Sequence, residues 1–148
     1  MAKFSSGLRN GMLAATGFSA ALSGNSELRI FAGASAPASA DDAETGTLLM
    51  TLSANGAGVG LSFGAPADGA VSKTPAETWM TTSTDAAGTC KYFRLVDTAD
   101  VGDLSATAPR VQGSIGLVGA DMNLTDAVVA AGVPWTLNYF AVGLPTLE

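Results

Sequence analysis

A chain of 148 residues has the length of one ordinary domain and is long enough to bury a substantial core. Its 7 basic and 13 acidic residues give a net charge of −6, with no basic stripe to neutralise nucleic-acid phosphates. There is no histidine, which removes Ser-His-Asp and Cys-His catalysis and His-ligated zinc from consideration.

The hydrophobic fraction, 47%, is ordinary, but charged residues make up only 14%, against roughly 25% in typical soluble domains. Two readings fit such a composition. Either small uncharged residues are tolerated on a surface kept dispersed by its net charge, or much of the surface meets other protein. The single cysteine, Cys90, allows no internal disulfide, and a small core hydrophobe folded in a reducing compartment is expected.

At the N-terminus, Lys3 and Arg9 precede an apolar stretch over residues 11–22 that loosely imitates a signal peptide. Glycines and hydroxyl residues break up that stretch, so a retained segment is expected. No run approaches the ~18 consecutive apolar residues of a membrane-spanning helix. Residues 5–22 carry apolar positions at helical spacing (Leu8, Met12, Ala15 and Leu22, with Leu13 and Phe18 beside them), and this predicts one helix. Ser5 or Ser6 caps it and Gly24-Asn25 ends it. Gly7, Gly11 and Gly17 each cost up to ~1 kcal/mol relative to Ala, so the helix needs a packing surface, and its small residues permit close approach to one.

From Glu27 the period changes to two. A strand over residues 27–33 turns Leu28 and Ile30 inward, and an Ala-, Ser- and Pro-rich acidic loop follows over 34–46. Thr47–Ala54 is a second strand, joined through the turn Asn55-Gly56 to Val59, Leu61 and Phe63 as a hairpin. Residues 77–83 place Trp79 and Met80 on opposite faces. Residues 89–97 are apolar on both faces, with Phe93 and Leu95 on one side and Cys90, Tyr92, Arg94 and Val96 on the other. Each face therefore needs a cover: a core on one, and a helix, a second sheet or another chain on the other. A polar loop over 98–108 leads to an alternating strand at 110–118, then a short strand at Met122 and Leu124. Residues 127–131 read as strand or helical turn. Residues 134–145 form a closing strand that is also apolar on both faces, a candidate neighbour of 89–97.

This succession predicts a mainly β fold, an antiparallel β-sandwich or jelly roll of about eight strands with a short N-terminal helix. Residues 1–26 are expected as a helical arm and 27–148 as the sandwich. No catalytic, cofactor-binding or metal-binding set emerges. Gly56-Ala-Gly58-Val-Gly60 opens no helix, and Asp97, Asp100 and Asp103, like Asp41-Asp42-Ala-Glu44, read as solvated loop acids without the order of a calcium loop. Arg94 is the notable charge, because a covered guanidinium needs a partner. That partner belongs either to its own chain or to a neighbouring subunit. Trp79 and Trp135 are core residues or interface anchors.

Five phrases, Gly7-Leu-Arg-Asn10, Leu28-Arg-Ile-Phe-Ala-Gly33, Tyr92-Phe-Arg-Leu-Val96, Pro109-Arg-Val-Gln-Gly113 and the closing residues 140–145, resemble a family of small β-rich proteins encoded by tailed bacteriophages and prophages. The resemblance runs along nearly the whole chain and carries no catalytic residue. It implies a structural virion protein without cofactor, made in the host bacterial cytoplasm. The expected role is a capsid decoration (cement) protein on the capsid exterior, a homo-oligomer, most simply a trimer, bound to the major capsid protein and to neither nucleic acid nor membrane. Leu8, Met12, Phe18, Trp79, Tyr92, Arg94 and Trp135 are the expected interface residues. A tail-tip, fibre-associated or baseplate component, or a virion-surface carbohydrate-binding module, are the alternatives.

Overall fold

A computed structural model describes residues 1–13, 17–33 and 35–144. Eleven strands and two helices follow one another as β1 (Lys3–Phe4), α1 (Ser6–Leu13), α2 (Gly17–Leu22), β2 (Ser26–Ala32), β3 (Thr47–Ala54), β4 (Ala70–Ser72), β5 (Trp79–Thr81), β6 (Gly88–Asp97), β7 (Arg110–Gly116), β8 (Met122–Asn123), β9 (Val128–Val129), β10 (Trp135–Leu137) and β11 (Ala141–Gly143). The protein is mainly β and sandwich-like, as expected. Leaving out the two-residue β1, β8 and β9 leaves eight strands, about the number expected but not the same set: Ala70–Ser72 is a strand the sequence did not announce, and the closing segment holds two.

The principal sheet runs β1-β7-β6-β2-β3-β5-β10, with β8 and β9 attached to β7 and β6. All its pairings are antiparallel except β7 with β8. Its inner face carries Leu28, Ile30, Met50, Leu52, Phe93, Leu95, Val111 and Ile115, all buried. The opposing layer brings Leu8, Leu22, Leu61, Phe63, Val71 and Phe140 into the same core. A run of aromatic contacts ties the layers together: Phe18 meets Phe63 at 5.4 Å, Phe63 meets Trp79 at 5.2 Å, and Phe140 meets Trp79 at 5.4 Å and Phe93 at 5.6 Å. Each fully buried side chain of this size contributes ~1.5–3 kcal/mol, which is what the glycine-weakened N-terminal helices lean on.

Four expectations are revised. The first 26 residues are not an arm: Lys3 and Phe4 pair with Gln112 and Val111, and Leu8 and Leu22 are fully buried in the common core. In place of one helix there are two, with Gly17 at φ +64°, a left-handed conformation that stops a right-handed helix from running through; Ala15 lies outside the described residues. Ser5 is the α1 cap, its hydroxyl accepting from the Leu8 amide at 3.1 Å. The close approach that small residues allow is made by the chain to itself, since a Cβ on Gly7 would sit 2.1 Å from the Thr107 carbonyl oxygen.

The Asn55-Gly56 turn forms, both residues at positive φ, but its far arm makes only isolated bridges, Ala54 to Val59 and Ser26 to Leu61. Trp79–Thr81 takes the place beside β3 instead. Residues 134–144 hold two short strands rather than one. β10 pairs with β5 and β11 with β4, while the neighbours of β6 are β2, β7 and β9. The expected end of that strand, Pro145, lies outside the described residues.

Candidate functional site

The outer face of β2, β6 and β7 is where sequence reasoning had left a question, and its polar side chains form a single layer. Register aligns Arg29, Arg94 and Gln112 across the three strands, with Arg110 one row along opposite Val96. The cover is neither a helix nor another chain. It is the two loops of residues 35–46 and 98–108, whose backbone supplies the acceptors.

Arg94 is fully buried. It donates to the Gln112 Oε1 at 2.8 Å, to the Asp42 carbonyl at 2.8 Å and to the Ser39 carbonyl at 3.4 Å. Gln112 in turn donates to the Pro37 carbonyl at 2.8 Å. Arg110 grips Asp100 in a two-pronged pair, Nε to Oδ2 at 2.5 Å and Nη2 to Oδ1 at 2.7 Å. Its Nη1 faces the carbonyls of Ala40, Asp41 and Asp42, each at 3.3 Å. Arg29 bridges Glu27 at 2.7 Å and Glu44 at 2.9 Å. Tyr92 stacks on Phe31 at 4.7 Å, and its hydroxyl donates to the Thr45 carbonyl at 2.6 Å while accepting from the Thr45 amide.

The loops also hold each other and α1. The Glu44 amide donates to the Gly102 carbonyl and the Ser105 amide to the Asp41 carbonyl, both at 2.8 Å. Gly102 sits at φ +83°, where a Cβ would also meet the Glu44 carboxylate at 2.5 Å. The Asp41 carboxylate accepts from the Ser6 amide at 2.7 Å and the Ser6 hydroxyl at 2.6 Å, at the first turn of α1.

Charge in this layer is fixed by its partners. Burial works to raise the Asp100 pKa, but bonds from Arg110 and the Gly102 amide, with the charges of Arg110 and Arg29, outweigh it, so the carboxyl lies below its ordinary value. The Ser6 hydrogen bonds pull Asp41 down as well. Burial, then the neighbouring Arg110 charge, lowers the Arg94 pKa. Arg29 is raised: burial opposes, but bonds and charges from Glu27 and Glu44 prevail. Every one of these groups is committed to a neighbour in its own chain. The arrangement can clamp loops; it presents no free nucleophile, acid or base to a substrate.

Two of the exposed depressions among the described residues take in expected interface residues. One, of about 210 Å3, is almost wholly apolar and is lined by Phe4, Met12, Phe18, Val71 and Val142 among others. The other, of about 460 Å3, lies along β10 and carries Trp135, Thr136, Asn138 and Tyr139 opposite Thr125 and Val128.

Of the expected interface residues, Leu8, Trp79, Tyr92 and Arg94 are fully buried within the chain, which leaves them no surface to offer a neighbour. An intersubunit bridge from Arg94 is thus replaced by internal partners. Met12 and Phe18 are half-buried in the apolar depression and Trp135 is half-buried in the other, so the seven do not converge. The loop acids are not simply solvated. Asp97 accepts from Asn25 and the Ala99 amide, Asp42 from the Ser39 amide, and Asp100 is taken by Arg110. Among the described residues no three His, Cys, Asp or Glu side chains come together, and no helix is long and apolar enough to cross a membrane.

Sequence reasoning missed Arg29, Arg110 and Gln112, and took Asp100, which Arg110 holds, for a solvated loop acid. The available signal was alternation: Arg29, Arg94 and Arg110 each occupy an outward position of a strand whose neighbours are apolar. Tyr139 was also missed, because the continuous strand assumed there placed it on a buried face. Compared with known proteins, the chain matches no family model, no curated protein and no solved structure.

Proposed function

We propose that the protein is a non-enzymatic structural subunit of a tailed-bacteriophage virion, a decoration protein that oligomerises on the capsid shell and stabilises it. The phage setting rests on the phrases of the sequence that resemble that family. The observation that supports an assembly role is the division of polar chemistry: buried ionisable groups are spent on internal clamps, while large apolar side chains stand out at loop tips and a helix end. Leu13, Val101, Leu104 and Val118 are each more than 70% exposed. On a charge-poor surface, such positions gain most from contact with another protein.

The mechanism is burial of area: a specific interface of ~1,200–2,000 Å2 holds neighbouring subunits together without a chemical step. The half-buried Met12, Phe18 and Trp135 are the expected contacts that retain access to a partner.

Quantitative mass spectrometry of purified virions tests this reading. A copy number close to that of the major capsid protein is expected, together with lower heat resistance of particles that lack the protein. A few copies per particle would move the protein to the tail, and its absence from particles would end the reading.

A further inference from the structure

We propose that the depression along β10 is a binding trough for a neutral oligosaccharide. Tyr139 is 73% exposed although both Leu137 and Phe140 beside it are buried. The backbone that carries the ring is therefore anchored on either side while the ring stands in solvent. Trp135, in the same trough, packs against the core while remaining partly accessible, so its indole is held in place. Rigid, half-held aromatic rings offer large contact area at little conformational cost.

The polar lining completes the match. The hydroxyls of Thr125, Thr136 and Tyr139 and the amide of Asn138 make no hydrogen bond with the described residues, although most other polar side chains in the molecule are engaged. A pyranose ring presents a C–H face to an aromatic surface and a rim of hydroxyls to donors and acceptors, which is the combination exposed here.

Neutrality follows from the charges. The only ionisable carboxylate in the lining, Asp126, already accepts from the Val128 amide at 2.8 Å, and no lysine or arginine lines the trough to balance an anionic ligand. A chain fits better than a single sugar, because a second groove of about 470 Å3 shares Asn123 and Tyr139 with the first, and its charged groups, the Met1 ammonium and the Asp121 carboxylate, are paired with each other at 3.0 Å. A peptide is the weaker candidate. Strand addition needs an open edge of some length, and β10 offers three residues.

The test is a titration of the full-length protein, followed by intrinsic tryptophan fluorescence, against neutral tetra- to hexasaccharides of glucose, galactose, mannose and N-acetylglucosamine. At least one should bind, and Tyr139→Ala should weaken it about tenfold or more with an unchanged melting temperature. Trp135→Phe, which keeps an aromatic ring against the core, should remove the fluorescence response. Failure of every saccharide to bind overturns the proposal, as does binding that both variants leave intact. Capture of extended peptides at the trough, lost in Tyr139→Ala and without any glycan binding, also overturns it. The saccharide site does not rest on the virion reading, so either can fail while the other stands.

Discussion

At the scale of single residues, Arg94 decides between stability and assembly. Its guanidinium satisfies a side-chain amide and two backbone carbonyls in a place sealed from solvent. Arg94→Met would leave the buried Gln112 Oε1 without its donor and take one donor each from the Asp42 and Ser39 carbonyls, which costs about 2–4 kcal/mol. The expected outcome is a lower denaturation midpoint, with a sedimentation coefficient unchanged from wild type under native conditions. Ser26 is the opposite case: its buried hydroxyl has no hydrogen-bond partner among the described residues. Ser26→Ala should therefore leave stability unchanged or raise it by up to ~1 kcal/mol, as read by urea unfolding. Gly7→Ala should destabilise the protein despite the better helix propensity, because the added methyl meets the Thr107 carbonyl. Cys90 is buried, and that burial pushes its thiol pKa up, so a thiol reagent should label it at a rate set by unfolding.

At the scale of elements, the two covering loops behave as a lid whose grip depends on ionised carboxylates. Asp41 and Asp100 both have folded-state pKa values below the ordinary 3.8. Their contribution to stability is present above that ordinary value and is lost as pH falls through the lower folded-state values. Thermal melts should thus be flat from neutral pH to about 5 and decline below about 4. In Asp100→Asn the decline should be shallower, from a lower starting point. The central strands were legible from composition and alternation: β2, β3, β6 and β7 lie where the sequence placed them, and β6, apolar on both faces, is buried on both. The lid was not. Much of its hold comes from backbone carbonyls, which every residue carries, and its bonded carboxylates, Asp41, Glu44 and Asp100, look no different in sequence from solvated loop acids. The closing segment misled for another reason. Asn138, Tyr139 and Phe140 stand between β10 and β11, and composition alone does not separate two three-residue strands from one long one.

At the scale of the whole molecule, the N-terminal segment is part of the fold rather than an attachment to it. Leu8 and Leu22 lie in the core, Ser5 is fully buried, and its hydroxyl donates to the Ala108 carbonyl and accepts from the Arg110 amide. Removing residues 1–22 would expose the sheet's inner face and unfold the protein, so truncation cannot separate folding from capsid attachment. Point changes at exposed apolar positions can. Leu13→Ser and Val118→Ser remove apolar surface that the isolated chain does not use, and each should shift the melting temperature by no more than a degree or two. If the decoration reading holds, at least one should lower occupancy on capsids measured by quantitative mass spectrometry.

The way the lid is held has a consequence for how the protein can change. Arg94, Arg110 and Gln112 hold residues 35–46 through the carbonyls of Pro37, Ser39, Ala40, Asp41 and Asp42, while on the other loop Arg110 takes the Asp100 carboxylate as well. The carbonyl-holding part of the lock is blind to the letters of the segment it closes, except where the carboxylates of Asp41, Asp42 and Glu44 are themselves bonded. Positions such as Ala38 and Ala43 are open to substitution at almost no cost to the clamp, while a change at Arg94 or Arg110 removes several of the loop's bonds at once. Diversity can therefore gather on this face of the molecule while its shape stays put.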